Sequence, residues 1–199
     1  FSTLQGAHNL TVNAGAGNIL FDGEVGTGLL TPLGSLTITT ANNVTASGGV
    51  SAGSIVQSAG TGKTTLSGAV STTAVAGISL TGSQFELDGA VTTTNGGPLL
   101  INNSSTLALN GGGTISGALT QTGAGAVHLQ GAITVNNLIS FAAPVTLTAL
   151  TSLDTSATGS NITFSSTVDG GQNLTLNLGA GGNLLFSGNV GGVTRLGAL

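Results

Sequence analysis

One alternating pattern recurs along the chain: ILFDGEV from Ile19, then TTLSGAV, FELDGAV, VHLQGAI, ISFAAPV, ITFSSTV and LLFSGNV. Taken at every second residue it usually runs apolar, large apolar, small, aliphatic, and a period of two places these positions on one face of an extended strand. The large position is held by Phe21, Leu66, Leu87, Leu129, Phe141, Phe164 and Phe186. The small one is held by Gly23, Gly68, Gly89, Gly131, Ala143, Ser166 and Gly188. Successive large residues are 45, 21, 42, 12, 23 and 22 positions apart, so most spacings are one or two multiples of about 22 and only the 12 breaks the series. A strand unit that short cannot bury its own apolar face and has to stack on neighbours.

A second, longer repetition encloses the first. NLTVNAGAGNILFDGEVG from Asn9 returns as NLTLNLGAGGNLLFSGNVG from Asn173, and TPLGSL from Thr31 returns as TRLGAL from Thr194. The chain therefore reads as one continuous solenoid over 1–199, made of one long tandem unit, about 1–163, and the start of the next, 164–199. Beginning at Phe1 rather than Met, it reads as a piece of something longer. The runs NLTVN, SLTITT, GISLTG, PLLIN, PVTLTAL and NLTLN supply further strands between Gly, Asn and Ser turns, and no stretch shows helical periodicity.

The expected fold is all-β: a parallel β-helix of eight or nine strand-turn-strand-turn coils, a rod roughly 40 Å long at one strand spacing per coil. A β-sandwich accommodates short strands but leaves the coexistence of the two periods unexplained. Within the solenoid, the large positions are expected to form a core ladder in which Phe rings stack along the axis. The glycines are expected where the chain turns a corner and two backbones come close. The spacing of 12 is compatible with two arms of one coil.

Composition narrows the function. Only 2 residues are Lys or Arg and 6 are Asp or Glu, against about a quarter charged in ordinary domains. With 39% of the chain hydrophobic there is still material for a core, which argues against disorder. Lys63 and Arg195 are the only fixed cations, so neither nucleic acid nor an anionic membrane is expected as a partner. No apolar run approaches the roughly 18 residues of a membrane span, and without Cys there is no disulfide or thiolate metal site.

The candidate chemical groups are few. Asp22 and Glu24 flank Gly23, and Glu86 and Asp88 precede Gly89, each pair pointing outward. The pairs lie about three coils, roughly 14 Å, apart along the axis, too far to share a calcium ion. In the second copy Asp22 and Glu24 become Ser187 and Asn189, so the unit does not need the charge. His8 aligns with Gln172, and neither it nor His128 has an acid beside it. Asp154, Asp169, Lys63 and Arg195 are scattered, whereas solenoid enzymes acting on polysaccharide need acids grouped on one face. The chain is expected not to be an enzyme and to hold no metal or cofactor.

The remaining motifs read as structure. AGAGN at Ala14, TGAGA at Thr122 and TGKTT around Lys63 lack the spacing and the helix of a phosphate loop and are turns. Sequons at Asn9, Asn43, Asn102, Asn103, Asn161 and Asn173 permit glycosylation in a secreted setting, or they mark Asn ladders between coils. Thr-x-Thr pairs at Thr37, Thr92, Thr120 and Thr146 raise ice binding, which would need the pair in one register on nearly every coil.

LTVNAGAGNILFDGEVG, SLTITTANNVTASGGV and LSGAVSTT resemble the repetitive β-helical regions of giant bacterial surface proteins of the filamentous-haemagglutinin-like and autotransporter-passenger kind. The resemblance covers essentially the whole chain. It implies secretion across a Gram-negative envelope, a long right-handed parallel β-helix, and a place in an extracellular fibre or adhesin stalk. The expected role is a rod or spacer whose partners are neighbouring repeats of the same protein. The alternative is a solenoid module that binds a surface glycan or host receptor. No integrin-type tripeptide is present to assign adhesion to particular residues.

Overall fold

Every strand pair in the computed structural model, which describes residues 3–27 and 31–199, is parallel, and partners lie one coil apart in sequence. Three arms make a coil, a cross-section that the sequence pattern leaves open. The first face carries Ile19–Phe21, Val44–Ala46, Lys63–Leu66, Gln84–Leu87 and Leu107–Leu109, the opening halves of Val127–Val135 and Val145–Asp154, and Val168–Asp169. The second carries the opening of Val50–Gln57, then Val70–Thr72, Val91–Thr93, Gly113–Ile115, the closing halves of Val127–Val135 and Val145–Asp154, and Leu174–Asn177. The third holds Asn9–Asn13, Leu33–Thr40 apart from its first residue, which pairs with Ala52 on the second face, the close of Val50–Gln57, Ile78–Gly82, Leu99–Asn103, Leu119–Gln121, Ile139–Phe141, Ile162–Phe164 and Leu184–Phe186.

Along the first face one ladder runs Ile19, Val44, Thr64, Phe85, Leu107, Val127, Val145, Val168, Val190, which is eight steps. The shortest step takes the chain from Val127 to Val145 and the longest from Ile19 to Val44. Three short arms with their corners fit such steps, and each arm points about two side chains inward, as Ile19 and Phe21 do. Inward residues pack on those above and below, while backbone groups bond between coils: the Ile19 amide donates to the Asn43 carbonyl at 2.8 Å and that of Val25 to Gly49 at 2.9 Å. Burial and backbone pairing thus act along the same axis.

The seven large positions expected in one ladder fall on two. Phe21, Leu66, Leu87 and Leu129 stand on the first face, with Ala46, Leu109 and Leu147 completing their column. Phe141, Phe164 and Phe186 stand on the third face, continuing a column of Ile38, Gln57, Leu80, Ile101 and Gln121. The recurrent motif encodes an arm, a corner and the start of the next arm, and this chemistry suits more than one corner. It spans the corner between first and second faces as far as Ile133, then that between third and first faces from Phe141 on. The spacing of 12 is this shift: two arms of one coil separate Leu129 from Phe141.

Along the corner column the backbones of successive coils meet with no room for a Cβ. A Cβ on Gly68 would lie 2.4 Å from the carbonyl carbon of Gly48, one on Gly89 2.1 Å from the Gly68 oxygen, and one on Gly188 2.5 Å from the Ser166 carbonyl carbon. Gly23 belongs to the same column, since a Cβ on Gly48 would meet its carbonyl carbon at 2.8 Å. Gly131 differs: its nearest neighbour is 3.5 Å away, but its φ of +83° lies in the region that favours glycine. The small residue there serves a bend rather than a close approach.

Candidate functional site

The fold spreads the ionisable side chains along the outside of the rod. Asp22 and Glu24 are exposed, His8 is exposed, and half-buried His128 stands in an outward row between Ala108 and Thr146. One ion pair forms among the described residues, Lys63 to Glu86 across one coil step, and Asn110 donates to Asp88 at 2.7 Å. The only sequence signal for that ion pair is a separation of 23 residues, close to one coil. Asp169 accepts the amides of Val193 and Thr194 at 2.8 and 3.2 Å. Hydrogen bonds from the Ser156 hydroxyl and amide hold the Asp154 carboxyl below its usual range. No group of three or more His, Asp or Glu that could hold a metal ion occurs among the described residues.

The polar groups that are brought together lie inside. Asn103 is fully buried and donates to the carbonyls of Ser105 and Gly125 at 2.6 and 2.9 Å. Gln121, one coil on, donates to Asn103 Oδ1 at 2.8 Å and accepts the amides of Ala142 and Ala143 at 3.0 and 3.1 Å from the coil after that. A satisfied polar cluster thus interrupts the apolar columns and stitches three coils together. Two other sequons also serve as ladders. Asn18 Oδ1 accepts both the amide and the side chain of Asn43, whose own Oδ1 accepts the Lys63 amide, and Asn161 receives Asn183 in the same double fashion.

Outside, the third face carries a shallow depression of about 230 Å³ between the rows Ser79, Leu100, Thr120 and Thr81, Asn102, Thr122. It contains no charged or aromatic side chain. The Thr-x-Thr pairs are divided among all three faces: those at Thr37 and Thr120 on the third, Thr92 on the second and Thr146 on the first. Between Thr37 and Thr120 the outward row reads Val56, Ser79, Leu100, so no continuous threonine array forms.

The most distinctive surface is the coil formed by the second copy of the long repeat. Its turns reproduce the first copy closely. The Gly34 amide donates to His8 O and that of Gly197 to Gln172 O, both at 3.0 Å; Gly26 donates to Leu4 O and Gly191 to Val168 O, both at 2.8 Å. The φ angles of Gly6 and Gly170 are 126° and 124°, and those of Gly26 and Gly191 are 64° and 66°. Burial differs sharply, however. Ile19 is 5% exposed and its counterpart Leu184 42%; Val25 is 1% exposed and its counterpart Val190 38%. Ile19 and Val25 lie under the following coil, paired with Val44 and Val50, whereas Leu184 pairs with Ile162 and Val190 with Val168 on the preceding one. No family model, curated protein or solved structure matches the chain.

Proposed function

We propose that this chain is a structural repeat segment of a long extracellular fibre or adhesin stalk, a rod or spacer continued end to end by further copies of its own unit. The observation that carries this reading is that the second copy continues the ladders of the first without a break, Phe186 pairing with Phe164 and Val190 with Val168, in turns that reproduce those at Gly6 and Gly26. Stacking of one unit on the next thus uses the same parallel pairing as stacking of coils within a unit.

The outer surface agrees with a spacer. Its polar groups are mainly Ser, Thr and Asn, the Lys63–Glu86 pair lies at the surface, and the described Phe side chains point inward. Cohesion that rests on burial and backbone ladders is little affected by salt. The resemblance to filamentous-haemagglutinin-like and autotransporter-passenger-like proteins supplies the setting, the surface of a Gram-negative cell, and neighbouring repeats are the partners. No helix among the described residues is long and apolar enough to cross a membrane.

Electron microscopy of a chain carrying several units tests the proposal. Uniform thin rods that lengthen in proportion to unit number are expected. Globular particles, or selective binding of the isolated segment on a glycan array, would overturn it in favour of a binding module.

A further inference from the structure

The long repeat does not contain a whole number of coils. Leu10 and Leu174 are counterparts in the two copies. From Leu10 the third-face ladder climbs seven steps, through Leu36, Ile55, Ile78, Leu99, Leu119 and Ile139, to Ile162. Two more arms, through Val168 on the first face, reach Leu174 on the second. One unit is therefore seven coils and two arms, 23 arms in all. The other counterparts agree: Phe21 on the first face becomes Phe186 on the third, and Val25 on the second becomes Val190 on the first.

We infer that successive units wind about one axis with a one-arm offset, so that each unit docks on the last turned a third of the way round and every surface pattern is shown on three sides in rotation. This rests on the stalk reading above and specifies its partner, the next copy of the unit. The joint can be assigned to residues. The ring stack Phe141, Phe164, Phe186 crosses from one copy into the next, with centroids 5.7 and 5.0 Å apart. Phe186 corresponds to Phe21, whose neighbour on the following coil is Ala46, so the incoming unit places its Ala46 over the Phe186 ring. Asn183 corresponds to Asn18, so its Oδ1 receives the amide and side chain of the incoming Asn43. Phe1, the counterpart of Phe164, lies outside the described residues.

The offset has a mechanical consequence. Coils differ in length: the step from Val127 to Val145 is short, and that from Leu10 to Leu36 is long. With a whole number of coils per unit, each irregularity would add on one side and curve the rod. With a one-arm offset it is distributed over three faces and cancels every three units. At one strand spacing per coil the pattern then advances roughly 37 Å per unit and returns to the same side after roughly 110 Å.

The test uses an array of three units ending in residues 164–199, with Ser67→Cys in each unit. The chain has no cysteine of its own and Ser67 is exposed, so each unit takes one maleimide-linked gold particle. Cryo-electron microscopy should show three particles about 37 Å apart along the rod, each displaced a third of a turn from the last. Particles in one line along a continuous rod would overturn the offset while leaving the stalk reading intact; the absence of rods would overturn both. Unlabelled six-unit arrays provide a check free of the substitution: a true axial repeat of about 110 Å is expected, and a repeat a third as long contradicts the inference.

Discussion

Phe164 and Phe186 lie one coil apart on the third face with ring centroids 5.0 Å apart and ring planes within 8° of parallel, and Phe141 extends the stack below at 5.7 Å. Coil spacing imposes this geometry, because parallel strands in register set equivalent side chains about 4.8 Å apart. Truncating the middle ring, Phe164→Ala, is expected to cost about 3–5 kcal/mol through lost burial and an unfilled cavity. Stability in a solenoid is roughly a sum of nearest-neighbour terms, so the loss should be local. Hydrogen exchange should accelerate in Ile139–Phe141 and Leu184–Phe186 and remain slow in Val44–Ala46; uniform acceleration along the chain would contradict this.

The corner column makes a sharper distinction between two glycines. Gly89→Ala places a Cβ 2.1 Å from the Gly68 carbonyl oxygen, and because that neighbour is backbone the coils must separate. A loss of about 1–3 kcal/mol is expected, as for an overpacked core. At Gly171 a Cβ meets nothing within 4 Å, and Gly171→Ala should change stability by no more than about 0.5 kcal/mol. Equal urea midpoints for the two variants would show that the corner does not depend on close approach.

Gln121 is expected to be the most sensitive polar residue. Gln121→Leu keeps the volume but leaves Asn103 Oδ1 without its Gln121 donor and the Ala142 and Ala143 amides without their Gln121 acceptor. Each buried group left unpaired costs about 1–3 kcal/mol, although the Ala142 amide retains a bond to the Gln121 backbone oxygen at 3.1 Å. The Ala143 amide should therefore lose more protection from exchange than that of Ala142. The opposite order would show that the Gln121 side chain is not the bridge.

Acid stability carries a small contribution from Asp154. Its carboxyl is held below the ordinary 3.8 by the Ser156 hydroxyl and amide, with Asn177 donating at 3.3 Å. A depressed folded-state value stabilises the fold above the unfolded value and is lost as pH falls through the folded one. Urea midpoints should stay level at neutral pH and decline only below about 4. Asp154→Asn should show a shallower decline than the parent. An identical acid limb in both would remove Asp154 from the account.

Much of this arrangement is legible in the sequence. Alternation marks the strands, and the inward sense of Ile19, Phe21 and Val25 follows from the same pattern. The glycines at 68, 89 and 188 are recognisable as corners because a small residue recurs two places after a large one. The Lys63–Glu86 pair and the Asn103–Gln121 bridge are not legible. Each joins residues on neighbouring coils whose partnership depends on the lengths of the intervening turns.

The same reason divides the features fixed by local alternation from those set by the path of the whole coil. Period-two burial is local, so the sequence alone determined that the chain is a stack of parallel strands, which side chains enter the core, and that a long unit encloses the short one. The number of arms per coil, and the face on which each arm falls, depends on turn lengths accumulated along the chain. A shift of the motif between Leu129 and Phe141 changes no local pattern. Yet it moves the large residue from the first face to the third and turns each copy of the unit relative to the last.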